Sequence, residues 1–189
     1  MKSLLNHMTR LFRSSAPSTI TEQPREYILL PPSPLWAAAS FIIAIFFNIL
    51  LKQAAWVPDF LALTLVFWTL RQPAWIGMAT AFVLGLLMDV QQGALLGQHA
   101  LAYVILSFLV QKTSRRLFWF PAPAQALHLL PMFLLSQATV LLVRSWGVHA
   151  WPDWTWFLAS IFSAMLWPLW NWILLIPQRK SKNDDTSPL

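Results

Sequence analysis

The sequence predicts an all-α fold, a polytopic membrane bundle of about six transmembrane helices. Of the 189 residues, 57% are hydrophobic and only 11% are charged. Soluble domains have about 25% charged residues, so this chain has too few to cover an apolar core with a polar surface. Apolar stretches also recur between short polar turns, and the 12 tryptophans suit the boundary between hydrocarbon and water.

Six apolar segments account for most of the chain, at 35–51, 58–70, 74–89, 94–110, 124–143 and 154–176. Pro58 is expected at the first helical position of the second segment, with Asp59 in its first turn. This segment is short for a bilayer, so either the membrane thins around it or neighbouring helices shield it. Pro131 lies inside the fifth segment and is expected to kink it, and Pro168 lies inside the sixth.

The basic residues are distributed unevenly around these segments. With six crossings, eleven of the 13 Lys and Arg residues fall on the side of both termini, and only Lys52 and Arg144 fall on the other. Cytoplasmic loops are enriched in Lys and Arg, so both termini are expected in the cytoplasm. The predicted domains are a cytoplasmic amphipathic arm and Pro-rich linker at 1–34, the transmembrane domain at 35–177, and a cytoplasmic tail at 178–189.

Most tryptophans are expected to anchor the helices at the two membrane interfaces. The predicted outer belt contains Trp56, Trp146, Trp151, Trp154 and Trp156. The predicted inner belt contains Trp36, Trp68, Trp75, Trp119, Trp170 and Trp172.

A stripe of small residues ends in a carboxylate within the third segment. Gly77, Ala81, Gly85 and Asp89 recur every fourth residue, so they share one helix face. Such a face lets another helix approach closely, either within this bundle or from a partner protein. A polar turn containing Gly97 follows the stripe.

The acidic residues are expected to have structural roles. Asp59, Asp89 and Asp153 all fall at helix ends on the predicted outer side. Asp89 is interpreted as a cap for the turn that follows it or as a polar contact to a partner helix. Arg144 either pairs with one of the three carboxylates or lies among lipid headgroups.

No motif indicates catalysis or cofactor binding. The chain lacks cysteine, and neither His99 nor His128 has a second ligand at helical spacing. Nucleophile-elbow, His-Glu-x-x-His and phosphate-loop patterns do not occur. Each basic cluster adjoins an apolar segment, which favours topology signals over a nucleic-acid surface. We therefore expect no catalytic, cofactor-binding or metal-binding residues.

Several blocks of sequence resemble one known family, the rod shape-determining protein MreD family. They are, in order, WVPDFLALTLVFW, GMATAFVLGLLMDVQQGALLGQHALAY, LFWF, QALHLLP and WPLWNWILLIPQRK. The resemblance covers about residues 29–180 and implies a multi-pass protein of the bacterial inner membrane. It also implies a fold similar to the six-helix substrate-binding components of vitamin transporters.

The same resemblance implies a function without catalytic residues. A protein of this kind is a scaffold of the elongation machinery that supports lateral peptidoglycan synthesis and rod shape. Its implied partner is the membrane helix of MreC, with links to MreB, to RodA and to the penicillin-binding transpeptidase of RodA. The alternative is a membrane protein that binds a small molecule or lipid precursor in an outward-facing pocket.

Overall fold

The computed structural model describes residues 34–51, 56–147 and 155–178; the predicted arm and linker except Pro34, and the predicted tail except Gln178, lie outside the described residues. Within these ranges the chain forms six α-helices and no strand, which confirms the predicted fold class. The helices are α1 (Pro34–Leu51), α2 (Phe60–Arg71), α3 (Met78–Gln92), α4 (Gln98–Leu117), α5 (Ala122–Gly147) and α6 (Thr155–Leu175), followed by a 3-10 turn at Ile176–Gln178.

Three stretches are long and apolar enough to cross a membrane, namely Pro34–Leu51, Ala122–Trp146 and Trp156–Gln178. The remaining helices are shorter or carry charge. At 1.5 Å per residue, the 12 residues of α2 extend only ~18 Å. Every residue of α2 from Phe60 to Leu70 is buried, so this helix is enclosed by its neighbours and does not need to match the bilayer thickness.

Contacts between helix ends show that successive helices run in opposite directions. Asn48 near the end of α1 bonds Asp59 at the start of α2, and Trp36 at the start of α1 bonds the Leu174 carbonyl at the end of α6. The carboxylates Asp59 and Asp89 both lie close to Tyr103 near the start of α4. They define what we name the acidic end of the bundle.

The opposite end carries most of the described cations. This end contains the last residue of α2 and the last two turns of α4. Helix α5 begins beside them, as the 3.1 Å hydrogen bond from Gln125 Nε2 to the Leu117 carbonyl shows. The cations of this basic end are Arg71, Lys112, Arg115 and Arg116. The described bundle therefore begins and ends on its basic side.

Three tryptophans stabilise the interior by pairing their ring N–H groups with buried polar side chains. Trp68 donates to Ser40 at 2.8 Å, Trp170 donates to Thr64 Oγ1 at 3.0 Å, and Trp167 lies 3.2 Å from Gln125 Oε1. Assigning Trp68 and Trp170 to an interfacial belt was wrong, because a buried hydroxyl at each position satisfies the indole inside the bundle. By contrast, Trp75, Trp119 and Trp146 are well exposed.

The small-residue stripe of α3 faces α4 of the same chain. A Cβ atom added at Gly85 would lie 2.3 Å from the Ala100 Cα and 2.7 Å from the His99 carbonyl oxygen. Ala81, one turn earlier, is completely buried, and a Cβ atom at Gly77 would make ordinary contacts with the Gln111 side chain at 3.6 Å and the Pro73 carbonyl oxygen at 3.9 Å. The absence of a side chain at Gly85 therefore sets the contact distance between the two helix backbones.

One local expectation, the first residue of α2, differs from the structure in detail. Helix α2 begins at Phe60 with Asp59 as its N-cap, so Pro58 precedes the cap and is not the first helical residue. The reason is that the Asp59 carboxylate accepts the amide hydrogens of Leu61 and Ala62, which defines the capping position. Pro131 and Pro168 lie inside α5 and α6, as their positions in the fifth and sixth apolar segments indicated, and the kink expected at Pro131 stays a prediction.

We predict that Gly85→Ser destabilises the protein, because its Cβ would overlap the backbone of α4. Overpacking of this kind costs about 1–3 kcal/mol. Thermal unfolding of the detergent-solubilised protein measures the effect. The matched control is Gly77→Ser, where the added Cβ makes ordinary contacts and serine suits the N-cap of α3. Equal melting temperatures for the two variants would contradict the assigned packing.

Candidate functional site

The first carboxylate of the acidic end is held by the start of its own helix and by two other helices. Asp59 Oδ1 accepts hydrogen bonds from the Leu61 and Ala62 amides and from Asn48 Nδ2, each at 3.0 Å. Its other oxygen, Oδ2, accepts from the Tyr103 hydroxyl at 2.5 Å. Asp59 thus joins α1, α2 and α4 at one point, and both of its oxygens are satisfied.

Asn48 of α1 binds both this carboxylate and the first residue of the helix that it caps. Its Oδ1 accepts the Phe60 amide hydrogen at 3.0 Å, while its Nδ2 donates to Asp59. The Asp59 amide in turn donates to the Ser163 hydroxyl of α6 at 3.2 Å. A polar side chain in an otherwise apolar helix is expensive unless it is paired, and here every polar atom of Asn48 has a partner.

The second carboxylate caps the helix that follows it. Asp89 is completely buried near the end of α3. Its Oδ1 accepts the His99 amide and its Oδ2 accepts the Gly97 amide, both at 2.8 Å. The Ala100 amide lies at 3.4 Å from Oδ2. The first amides of α4, which have no partner within their own helix, thereby stabilise a buried negative charge.

The ring of His99 completes this cap. Its Nδ1 lies 2.8 Å from Asp89 Oδ1, and because an ionised carboxylate only accepts, Nδ1 carries the hydrogen. This arrangement fixes the ring and leaves Nε2 as its other hydrogen-bonding atom. Gly97 has φ +98°, a left-handed conformation that glycine adopts without strain, and this turn brings its amide to Asp89.

A cavity of about 290 Å³ opens between these two capped helix starts. Helices α5 and α6 close its other side. Its polar lining consists of Asn48, Asp59, Gln92, His99, Tyr103, Ser136 and Gln137, and its apolar lining consists of Val57, Pro58, Met88, Val140, Trp156 and Ala159. A site with this mixture accommodates a group with both polar and apolar parts.

The structure brings some of the predicted site residues together and separates others. Pro58 and Asp59 line the cavity, and Asp89 and Gly97 form the cap behind its His99 wall. Gly77, Ala81 and Gly85 lie along the contact of α3 with α4, away from the cavity lining. No group of three metal-ligating side chains occurs within residues 34–51, 56–147 and 155–178.

Arg144 does not pair with either described carboxylate. Its guanidinium lies over the Trp156 ring, 4.8 Å from the centroid, and the short contact of Asp89 is with His99. The proposed ion pairs with Asp59 and Asp89 were therefore wrong, because Tyr103 and the helix amides already occupy those oxygens. Asp153, the third proposed partner, lies outside the described residues.

Sequence reasoning did not identify Asn48, Tyr103, Ser136 or Gln137 as parts of this site. Asn48 offered a usable signal, since a lone amide inside an apolar span is often functional or tightly paired. Tyr103 is one of only two tyrosines in the chain. Ser136 and Gln137 of α5 gave no comparable signal, because their position at the cavity depends on how the helices pack.

We predict that Asp89→Asn destabilises the first turn of α4. The side-chain NH2 of asparagine would replace one carboxylate oxygen and would face backbone N–H groups, which need an acceptor. Losing such an acceptor costs about 1–3 kcal/mol. Hydrogen–deuterium exchange of the peptide spanning residues 97–101 is expected to become faster, with residues 60–63 unaffected. Asp59→Asn is the reciprocal control and should affect residues 60–63. Unchanged exchange at 97–101 would contradict the capping role of Asp89.

Comparison with known proteins identifies the family of this chain. The family model described as rod shape-determining protein MreD matches residues 29–176. This range contains all six helices in full, from Pro34 to Leu175. Comparison with curated proteins and with solved structures gave no match. Together with its apolar helices, the match makes the chain an integral membrane protein. The chain belongs to the MreD family of rod shape-determining proteins.

Proposed function

We propose that this protein is a non-enzymatic scaffold of the bacterial inner membrane that holds MreC and thereby supports lateral peptidoglycan synthesis and rod shape. The observation that carries the proposal is the family match across the whole described bundle, since that family determines rod shape. MreB, RodA and the penicillin-binding transpeptidase of RodA are proposed as further components of the same assembly.

The packing of α3 against α4 bears on where the proposed MreC contact lies. The stripe of Gly77, Ala81 and Gly85 is covered by α4, so it is not a free surface for a second membrane helix. The cavity at the acidic end is lined by the side-chain amides of Gln92 and Gln137. We propose that a segment of MreC next to its membrane helix enters this cavity, where side-chain amides pair well with a peptide backbone.

The charge distribution supports the orientation that this function requires. Four of the five described cations lie at the basic end, and the two described carboxylates lie at the acidic end. Following the positive-inside rule, we propose that the basic end lies in the cytoplasm and that the cavity lies on the periplasmic side. This is also the side on which the soluble part of MreC is expected.

A second candidate function is favoured by the cavity itself. Its volume of about 290 Å³ and its mixed lining suit the polar head of a small molecule or lipid precursor. A ligand of this kind would raise the melting temperature of the isolated protein, because it binds only the folded state. Binding of MreC requires no such ligand.

We predict that Gln137→Trp blocks co-purification with MreC and the recovery of rod shape in cells depleted of their own MreD-family protein. A large ring at this cavity-lining position would occupy the space that the partner segment needs. The matched control is Leu142→Trp on the same helix, whose side chain is 55% exposed. Full MreC binding by both variants would contradict the proposed contact.

The orientation is tested by single cysteines, which is straightforward because the chain has none of its own. Leu96, 73% exposed in the turn between α3 and α4, marks the acidic end, and Arg116 marks the basic end. We predict that Leu96→Cys reacts with a membrane-impermeant maleimide added to intact spheroplasts and that Arg116→Cys reacts only after lysis. The opposite pattern would overturn the proposed topology.

A further inference from the structure

Arg71, the last residue of α2, has its guanidinium fixed in place at the basic end. Its Nη2 donates to the Asn171 Oδ1 of α6 at 3.0 Å. The guanidinium carbon lies 4.7 Å from the centroid of the Phe67 ring, one helical turn earlier. These two contacts orient the planar group, so less conformational freedom is lost when it binds a further partner.

The positive charge of Arg71 has no carboxylate partner within the described residues. The only acidic residues in these ranges are Asp59 and Asp89, and both lie at the opposite end of the bundle. Asp59 is separated from Arg71 by the length of α2, ~18 Å. The Nε of Arg71 is buried without a hydrogen-bond partner, and no described residue accepts a hydrogen from Nη1. A partly buried cation without a carboxylate beside it is stabilised when an anion binds there.

The surroundings of Arg71 indicate the depth of lipid headgroups. Trp75 follows it in the next turn and is 74% exposed, while Trp172 is adjacent to Asn171 and is 52% exposed. Exposed indole rings at the ends of membrane helices are typical of the boundary between hydrocarbon and water. The phosphate groups of phospholipids lie at this level, and those of anionic lipids carry an uncompensated charge.

We propose that Arg71 binds the phosphate of an anionic phospholipid through Nη1, with Asn171 as the residue that positions the guanidinium. Guanidinium groups form charge-assisted hydrogen bonds with phosphate oxygens, and the fixed plane adds geometric selectivity to the charge attraction. The lipid thereby supplies the counter-ion that the described chain lacks. This inference is independent of the proposed binding of MreC.

The other cations of the basic end provide an internal control. Arg115 and Arg116 are exposed on the last turn of α4, and neither forms an ion pair with a described residue. Such groups attract anionic lipids through the general field of the surface, without a fixed geometry. A specific site at Arg71 therefore predicts a much larger effect for its removal than for removal of Arg115.

The experiment is a lipid titration of the full-length, detergent-solubilised protein, followed by native mass spectrometry. The probes are phosphatidylglycerol and phosphatidylcholine with the same acyl chains. We expect Arg71→Gln to weaken binding of the first phosphatidylglycerol about tenfold and to leave phosphatidylcholine unchanged. Arg115→Gln is expected to weaken phosphatidylglycerol binding by less than about twofold, because exposed ion pairs contribute little free energy. Equal losses in the two variants, or no loss in either, would overturn the proposal.

Two further variants decide the result if Arg71→Gln does not fold. Arg71→Lys keeps the charge without the planar group, and Asn171→Ala keeps Arg71 without its positioning contact. Each is expected to weaken phosphatidylglycerol binding about threefold. Wild-type affinity in both would show that the fixed guanidinium is not the recognition element and would overturn the proposal.

Two control titrations distinguish the sources of the anion. Millimolar inorganic phosphate is expected not to displace phosphatidylglycerol; complete displacement would assign the site to free phosphate and overturn the proposal. The second control replaces the acidic residues of the carboxyl-terminal segment, Asp184→Asn with Asp185→Asn, and is expected to leave lipid affinity unchanged. An increase about as large as the loss in Arg71→Gln would identify that segment as the natural anion and overturn the proposal.

Discussion

The structure depends on the way in which two carboxylates are stabilised by the starts of two helices. Asp59 caps α2 and Asp89 caps α4, so each negative charge lies where unpaired amide hydrogens point outward from a helix. The two caps meet at Tyr103, whose hydroxyl bonds Asp59. Because an unpaired charge inside an apolar bundle is costly, these contacts fix the relative positions of α1 to α4 and leave the cavity between the capped ends.

Separation of charge along the bundle gives its two ends different capabilities. The acidic end satisfies its carboxylates internally and still presents neutral amides and the His99 ring around an open cavity. The basic end has cations without described carboxylates beside them, bordered by exposed tryptophans. One end therefore suits recognition of a neutral polar group, and the other suits the anionic surface of a bilayer.

The sequence predicted the six helices well because their apolar segments are long and the turns between them are polar. It also predicted that Gly77, Ala81 and Gly85 share a packing face, since that follows from helical periodicity. It could not predict which helix covers this face, because a stripe of small residues fits any close neighbour. Trp68 and Trp170 were misassigned for a related reason: their pairing with Ser40 and Thr64 joins residues far apart in the chain.

By itself, then, the sequence determined the class of protein, the number of helices and the family, since composition, periodicity and ordered sequence blocks do not depend on how the helices pack. Only the tertiary structure decided what each polar residue contacts. Asp89 could have faced Arg144, a partner or the following helix, and the 2.8 Å contacts with α4 select the last of these. The physical reason is that a buried charge is stabilised by whichever donors the folded backbone brings to it.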